Sequence, residues 1–276
     1  MADILEFLSY PFVWRALIVG LLISVCAALL GTSLVLRRYS MIGDGLSHIG
    51  FGASAVALAL GAAPLAVATP AVLVAAFLLL RVGNGKRLQS DAAVAVLSAS
   101  ALAIGIIAAK LSGGMNVDIN NYMFGSIYTL GKSDVAVSML LCSAILVLYV
   151  LFYNRLFSAT FDPSFSKATG VKVSRYDTLL ACLTAVTVVI GMRMMGALLI
   201  SSLLVFPVLT ARRLCRTYRS VIITAVCVSV AGFLGGVTLS LGANTPPGAS
   251  VVVVNLLLLC IFWAIERIKY IVLRKK

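Results

Sequence analysis

The chain of 276 residues contains one histidine, His48, and an aspartate, Asp44, stands four positions before it. The stretch that holds them, "RRYSMIGDGLSHIGFG" over 37–52, opens a long apolar run. In a helix, residues i and i+4 share a face, so a carboxylate and an imidazole would project together. Three chemistries suit such a pair: ligation of a divalent cation, a structural hydrogen bond that locks two helices, and a proton relay. A carboxylate and a neutral imidazole are both zinc ligands, and both accept manganese or iron. An ionised aspartate inside a bilayer costs on the order of 2.5–3.5 kcal/mol. A bound cation would offset that cost and hold His48 in its neutral form. Spacing alone leaves all three chemistries open. Two ligands are also too few for zinc, which normally takes four. The others would come from elsewhere in the chain, from a second copy or from solvent. Met192, Met194, Met195 and Ser47 carry donor atoms, but no spacing singles them out.

The elements that must position this pair follow from composition. The chain is 62% hydrophobic and 11% charged, with a mean hydropathy of +1.11. Soluble domains are roughly 45–50% apolar and about 25% charged. So apolar a chain needs lipid around it, and hydrocarbon admits only helices or closed barrels. Unbroken apolar runs, rather than short alternating segments, select helices. The fold class is therefore all-α, a polytopic membrane helical bundle. About nine crossings are expected, at 12–36, 42–60, 63–81, 92–110, 134–153, 176–192, 196–211, 220–242 and 249–270. Eight is the alternative, if 176–211 is one crossing. With the N-terminus outside and the C-terminus in the cytosol, nine alternating crossings place every Lys and Arg inside except Arg15, Lys110, Lys132 and Arg193. That asymmetry is how membrane topology is set. Merging 176–211 would send "RRLCRTYR" outside, so this region is expected to go out and return. Its two short pieces flank "GMRMMG", and glycine-interrupted membrane segments often mark transport pathways.

The net charge of +13 sits in short loops between apolar runs, not in a basic arm, so nucleic acid is not an expected partner. The N-terminal "MADILEFLSYPFVW" has no early basic residue and does not read as a cleaved signal. The six cysteines form no CxxC and read as small core hydrophobes. The chain reads as one transmembrane domain over 1–276, with a cytosolic segment at about 154–177 and no room for a soluble catalytic domain. "GNGK" at 83–86 lacks the spacing of a phosphate-binding loop, and neither GxSxG nor HExxH occurs. The chain is expected not to be an enzyme and to hold no cofactor. Any ATP hydrolysis would belong to another chain.

"FDPSFSKATGV" at 161–171 carries helix punctuation. Asp162 suits an N-cap, Pro163 the first helical position and Gly170 the C-terminal stop, which predicts a helix over 163–169. A helix that short is marginal alone in water and needs packing. Phe161 and Phe165, four apart, are read as an apolar anchor on one face, suited to docking in a groove of a partner protein.

"LVLRRYSMIGDGLSHIGFGASAVAL" at 34–58 resembles the second-helix signature of the permease subunits of bacterial zinc and manganese ABC importers, the ABC-3 permease family. "NNYMFGSI" at 120–127, "FDPSFSKATGV", "GALLISSLLVFPVLTARRL" at 196–214 and "NTPPGASVVVV" at 244–254 resemble further elements of that family in order. The resemblance implies a homodimer of permease chains, two cytosolic ABC ATPases that use ATP, and an extracytoplasmic metal-binding protein, in a bacterial cytoplasmic membrane. It implies that transported Zn2+, or next Mn2+, passes Asp44 and His48, and that 161–171 is the segment coupled to the ATPase. Val208-Leu209 depart from the Ala-Ala of many relatives. The wording around Asp44 looks closer to zinc relatives. The alternative function is an ATP-independent cation or proton-coupled transporter or channel, which predicts no role for 161–171.

Overall fold

The computed structural model describes residues 11–83, 87–111 and 132–274. Among them are eleven helices and no strand: α1 (Pro11–Leu36), α2 (Ser40–Ala59), α3 (Pro64–Gly83), α4 (Arg87–Leu111), α5 (Lys132–Leu151), α6 (Tyr153–Phe161), α7 (Pro163–Ala168), α8 (Val173–Met195), α9 (Ala197–Leu214), α10 (Tyr218–Ala243) and α11 (Pro247–Arg274). The "NNYMFGSI" element lies outside the described residues.

Each apolar segment read from the sequence falls on one of these helices, but neither the expected count of nine crossings nor its alternative of eight is met among the described residues. Among the described residues, six helices (α1, α4, α8, α9, α10 and α11) are long and apolar enough to cross a bilayer. A seventh span is reached only if α5 and α6, bent by 67°, are one broken span. Asp44, Ser47, His48 and four glycines dilute the apolar character of α2. The described apolar stretch of α3, Pro64–Leu79, belongs to a helix that runs on to Gly83.

The 176–211 region is two helices. Gly196 joins them at φ +91°, a backbone angle that suits glycine. The chain reverses there: a Cβ on Gly191 would lie 2.6 Å from Ile200 Cδ1, a contact that residues nine apart on a continuous helix cannot make.

α1, α8 and α9 form the interior. Ile23, Leu30, Val188, Met192, Ile200, Leu203 and Leu204 are almost wholly buried there. α4 and α11 lie outside and present apolar faces, including Ile104, Ile107, Leu257 and Ile261. Such faces suit acyl chains. Most polar groups inside are paired. The hydroxyls of Ser33, Tyr149 and Tyr218 lie 3.1–3.5 Å apart in a mutual network. Ser229 donates to the Ser24 carbonyl at 2.9 Å, tying α10 to α1. Arg37, just past α1, pairs with Asp177 on α8. Of the cysteines, only Cys26 and Cys142 are core residues; Cys182, Cys227 and Cys260 are exposed, so the reading of them all as core hydrophobes is corrected. Cysteine inside an apolar run fits a lipid-facing position as readily as a core.

Candidate functional site

α2 begins at Ser40 after a tight turn in which Arg38 takes a left-handed backbone angle, φ +65°. Its glycines let neighbouring helices approach on two sides. A Cβ on Gly43 would sit 2.6 Å from Leu204 of α9, and one on Gly50 would sit 3.2 Å from Met192 of α8. On another side, a Cβ on Gly45 would be 2.5 Å from Val94, and one on Gly52 would be 2.2 Å from the Ala101 carbonyl oxygen, both on α4. A Cβ on Gly105 of α4 would in turn lie 2.6 Å from the Gly52 Cα. Small residues at such crossings let helix backbones touch.

What these contacts leave open is one stripe. Met41, Asp44 and His48 recur at the i, i+3, i+7 spacing of a helical face. Met41 is 54% exposed. The Asp44 and His48 side chains are 51% and 31% exposed, and His48 Nε2 lies 3.6 Å from Asp44 Oδ2. The pair is thus together, as the spacing predicts, and points away from the chain's own interior. At 3.6 Å the two groups are near neighbours without a tight hydrogen bond. Their free edges can converge on one cation.

The other donor atoms considered in the sequence do not join them. Ser47 is buried and donates its hydroxyl to the Asp44 carbonyl at 2.7 Å. Met192 is buried beside Gly50, about 200° around the helix from His48. Met194 and Met195 are buried as well. Among the described residues, no group of three or more His, Cys, Asp or Glu side chains could hold a metal. Among the described residues, Asp44 and His48 are thus two candidate donor groups on a partly open face.

The second candidate segment folds as its punctuation predicts. The Asp162 carboxylate accepts from the Phe165 N–H at 2.8 Å, with Pro163 at the first helical position. α7 ends at Ala168, and Gly170, at φ +81°, makes the reversal. The Val171 N–H donates to the Ser166 carbonyl at 2.9 Å and the Gly170 N–H to the Lys167 carbonyl at 3.1 Å, a Schellman closure. The expected common face of Phe161 and Phe165 is corrected. Phe161 ends α6, Asp162 leaves helical geometry at φ −137°, and Phe165 belongs to α7. The i, i+4 relation holds only within one helix. Phe161 packs edge-on to Tyr218, with ring centroids 5.6 Å apart. Both phenylalanines are nevertheless more than half exposed. Ser158 and Ser166 lie 2.6 Å apart through their hydroxyls and hold α6 against α7.

Comparison with known proteins agrees with this architecture. A model of the ABC 3 transport family matches residues 9–266. The chain is 28% identical over 244 residues to the high-affinity zinc uptake system membrane protein ZnuB of Haemophilus influenzae, covering 88% of this chain and 94% of that one. It is 27% identical over 249 residues to the manganese transport system membrane protein MntC of Halalkalibacterium halodurans, covering 90% and 85%. The solved structure of PsaBC from Streptococcus pneumoniae in complex with Fab superposes with a TM-score of 0.83 at 27% identity, covering 95% of this chain and 94% of that one. With the match running through nearly all of its helices, the chain belongs to the ABC 3 transport family.

Proposed function

We propose that this chain is the permease subunit of an ATP-binding-cassette importer that moves a divalent transition metal, zinc before manganese, into the cytosol. The observation that carries this reading is the open stripe of α2. An acidic and an imidazole side chain stand 3.6 Å apart on a face that the described helices leave partly open. Two ligands per chain fit a cargo that must leave again, since a closed four-ligand shell would hold zinc as a structural ion. A second copy of the chain, facing the stripe, would supply further ligands. The imidazole favours zinc over manganese by affinity order.

In this reading, two cytosolic ATPases hold the exposed α6–α7 corner. Their movement reaches α2 through α8, which touches α7 at one end and lays Met192 against Gly50 near the other. An extracytoplasmic binding protein supplies the ion.

The test is uptake of radioactive zinc and manganese into vesicles holding the chain with its ATPase and binding protein. The Asp44→Ala, His48→Ala variant is expected to lose uptake while still assembling. Full uptake by that variant refutes the site. Uptake without any ATPase refutes the importer reading in favour of a secondary transporter.

A further inference from the structure

A cavity of about 500 Å³ opens at the end of the molecule that carries α7. Leu36, Arg37, Arg38 and Tyr39 of the α1–α2 turn form one wall, Pro163 and Lys167 of α7 another, and Val173, Ser174 and Asp177 of α8 a third. Three cationic side chains thus meet one carboxylate. Asp177 is already engaged by one terminal nitrogen of Arg37. The Arg37 side chain is only 9% exposed. Its Nε and second terminal nitrogen are buried and find no acceptor among the described residues. A guanidinium has five donors, and leaving charged donors unmatched in a buried place is costly. Burial also pushes the Tyr39 phenol above its ordinary value.

The position of the cavity adds a second constraint. Leu36 and Val173, which line it, are the terminal residues of two helices long and apolar enough to cross a bilayer. The cavity therefore opens where hydrocarbon gives way to the layer of lipid phosphates. Basic pockets between membrane helices at that level hold anionic headgroups.

We propose that this cavity binds a phosphate group, with Arg38 and Lys167 as its donors and the buried Arg37 guanidinium behind them adding positive charge. A forked guanidinium matches two phosphate oxygens at once, and Lys167 adds a point charge. An occupant would bridge α7 to the turn that launches α2, five residues before Asp44. Both an anionic headgroup and a free phosphate carry the required oxyanion. The site stands independently of the metal reading.

The experiment uses the full chain in nanodiscs and native mass spectrometry. One arm contains phosphatidylcholine doped with phosphatidylglycerol, and a second contains phosphatidylcholine alone with inorganic phosphate. The expected result is one tightly retained phosphatidylglycerol or one phosphate per chain, with the arm that shows retention identifying the source. An Arg38→Ala, Lys167→Ala variant, which leaves the Arg37–Asp177 pair intact, should bind at least about tenfold more weakly, because two charge-assisted contacts are lost. An Arg216→Ala, Lys269→Ala variant removes two cations outside the cavity and should bind as the parent chain does. No retention in either arm overturns the proposal. So does equal weakening in both variants, since that would mark general attraction between a basic protein and anions.

Discussion

Adding one methyl group at Gly52 tests whether α2 is seated by backbone contact. A Cβ there would lie 2.2 Å from the Ala101 carbonyl oxygen and 2.7 Å from its carbon. Ordinary contact begins near 3.4 Å, so α2 and α4 would have to separate by about 1 Å. No side chain can rotate away, because the obstructing atoms are backbone and the facing residue, Gly105, has no side chain. Overpacking by one methyl costs about 1–3 kcal/mol, and a rigid obstacle puts Gly52→Ala at the upper end. Alanine returns about 1 kcal/mol through helix propensity. The net is a loss of about 2 kcal/mol. At about 2–4 °C per kcal/mol for a chain of this size, Tm should fall by about 4–8 °C.

Thermal unfolding of the chain in nanodiscs, followed by tryptophan fluorescence, reads this shift. Gly242→Ala is the internal control. It lies in α10, gains the same propensity, and a Cβ there meets nothing within 4 Å. Gly242→Ala should unfold at or above the parent's temperature. If Gly52→Ala unfolds with it or higher, α2 is not held by backbone contact with α4, and the account of why the stripe stays open fails.

Other substitutions probe separate joints. Asp177→Ala strands the buried Arg37 guanidinium and should lower stability by about 3 kcal/mol in chemical unfolding, whereas Arg37→Met with Asp177→Leu should cost clearly less. An equal loss for the single and double variants would mean the pair does not interact. Asp162→Ala removes the cap of α7, worth about 1 kcal/mol, and should raise amide exchange over 164–168 without changing global Tm, while Asp162→Asn should behave as the parent. Unchanged exchange in Asp162→Ala would show that packing on α6, not the cap, holds the short helix.

Much of this was legible in the residues because it depends on local chemistry. The apolar runs become helices since lipid leaves the backbone no other partners. Asp162, Pro163 and Gly170 act on their own few neighbours, so α7 begins and stops where they stand. Asp44 and His48 come together because four residues make about one turn. What escaped detection is long-range. Arg37 and Asp177 are 140 positions apart, and nothing in either neighbourhood names the other. The anchor expected from Phe161 and Phe165 failed for a related reason. Helical spacing does not extend across Asp162, the residue that ends one helix to cap the next. Arg37 and Arg38 read as topology signals, and only the fold shows that Lys167 is their neighbour across a cavity.

α2 shows why a count of apolar spans and a map of function pull against each other. Asp44 and His48 lower its hydropathy, and so do the glycines that let α4, α8 and α9 close on it. A helix in contact with acyl chains could not tolerate that composition. On its glycine faces α2 is walled by its neighbours, which supply the apolar contact that lipid would otherwise give, and its glycine-rich composition is a consequence of that place in the bundle. The same glycines that admit the walls leave the charged stripe on a face that the described helices do not close over. Restoring apolarity at the stripe alone, with Asp44→Leu and His48→Leu, should then raise Tm while abolishing metal uptake. A fall in Tm would mean that the two side chains hold the helix in place, and the stripe would be a structural joint instead of a path.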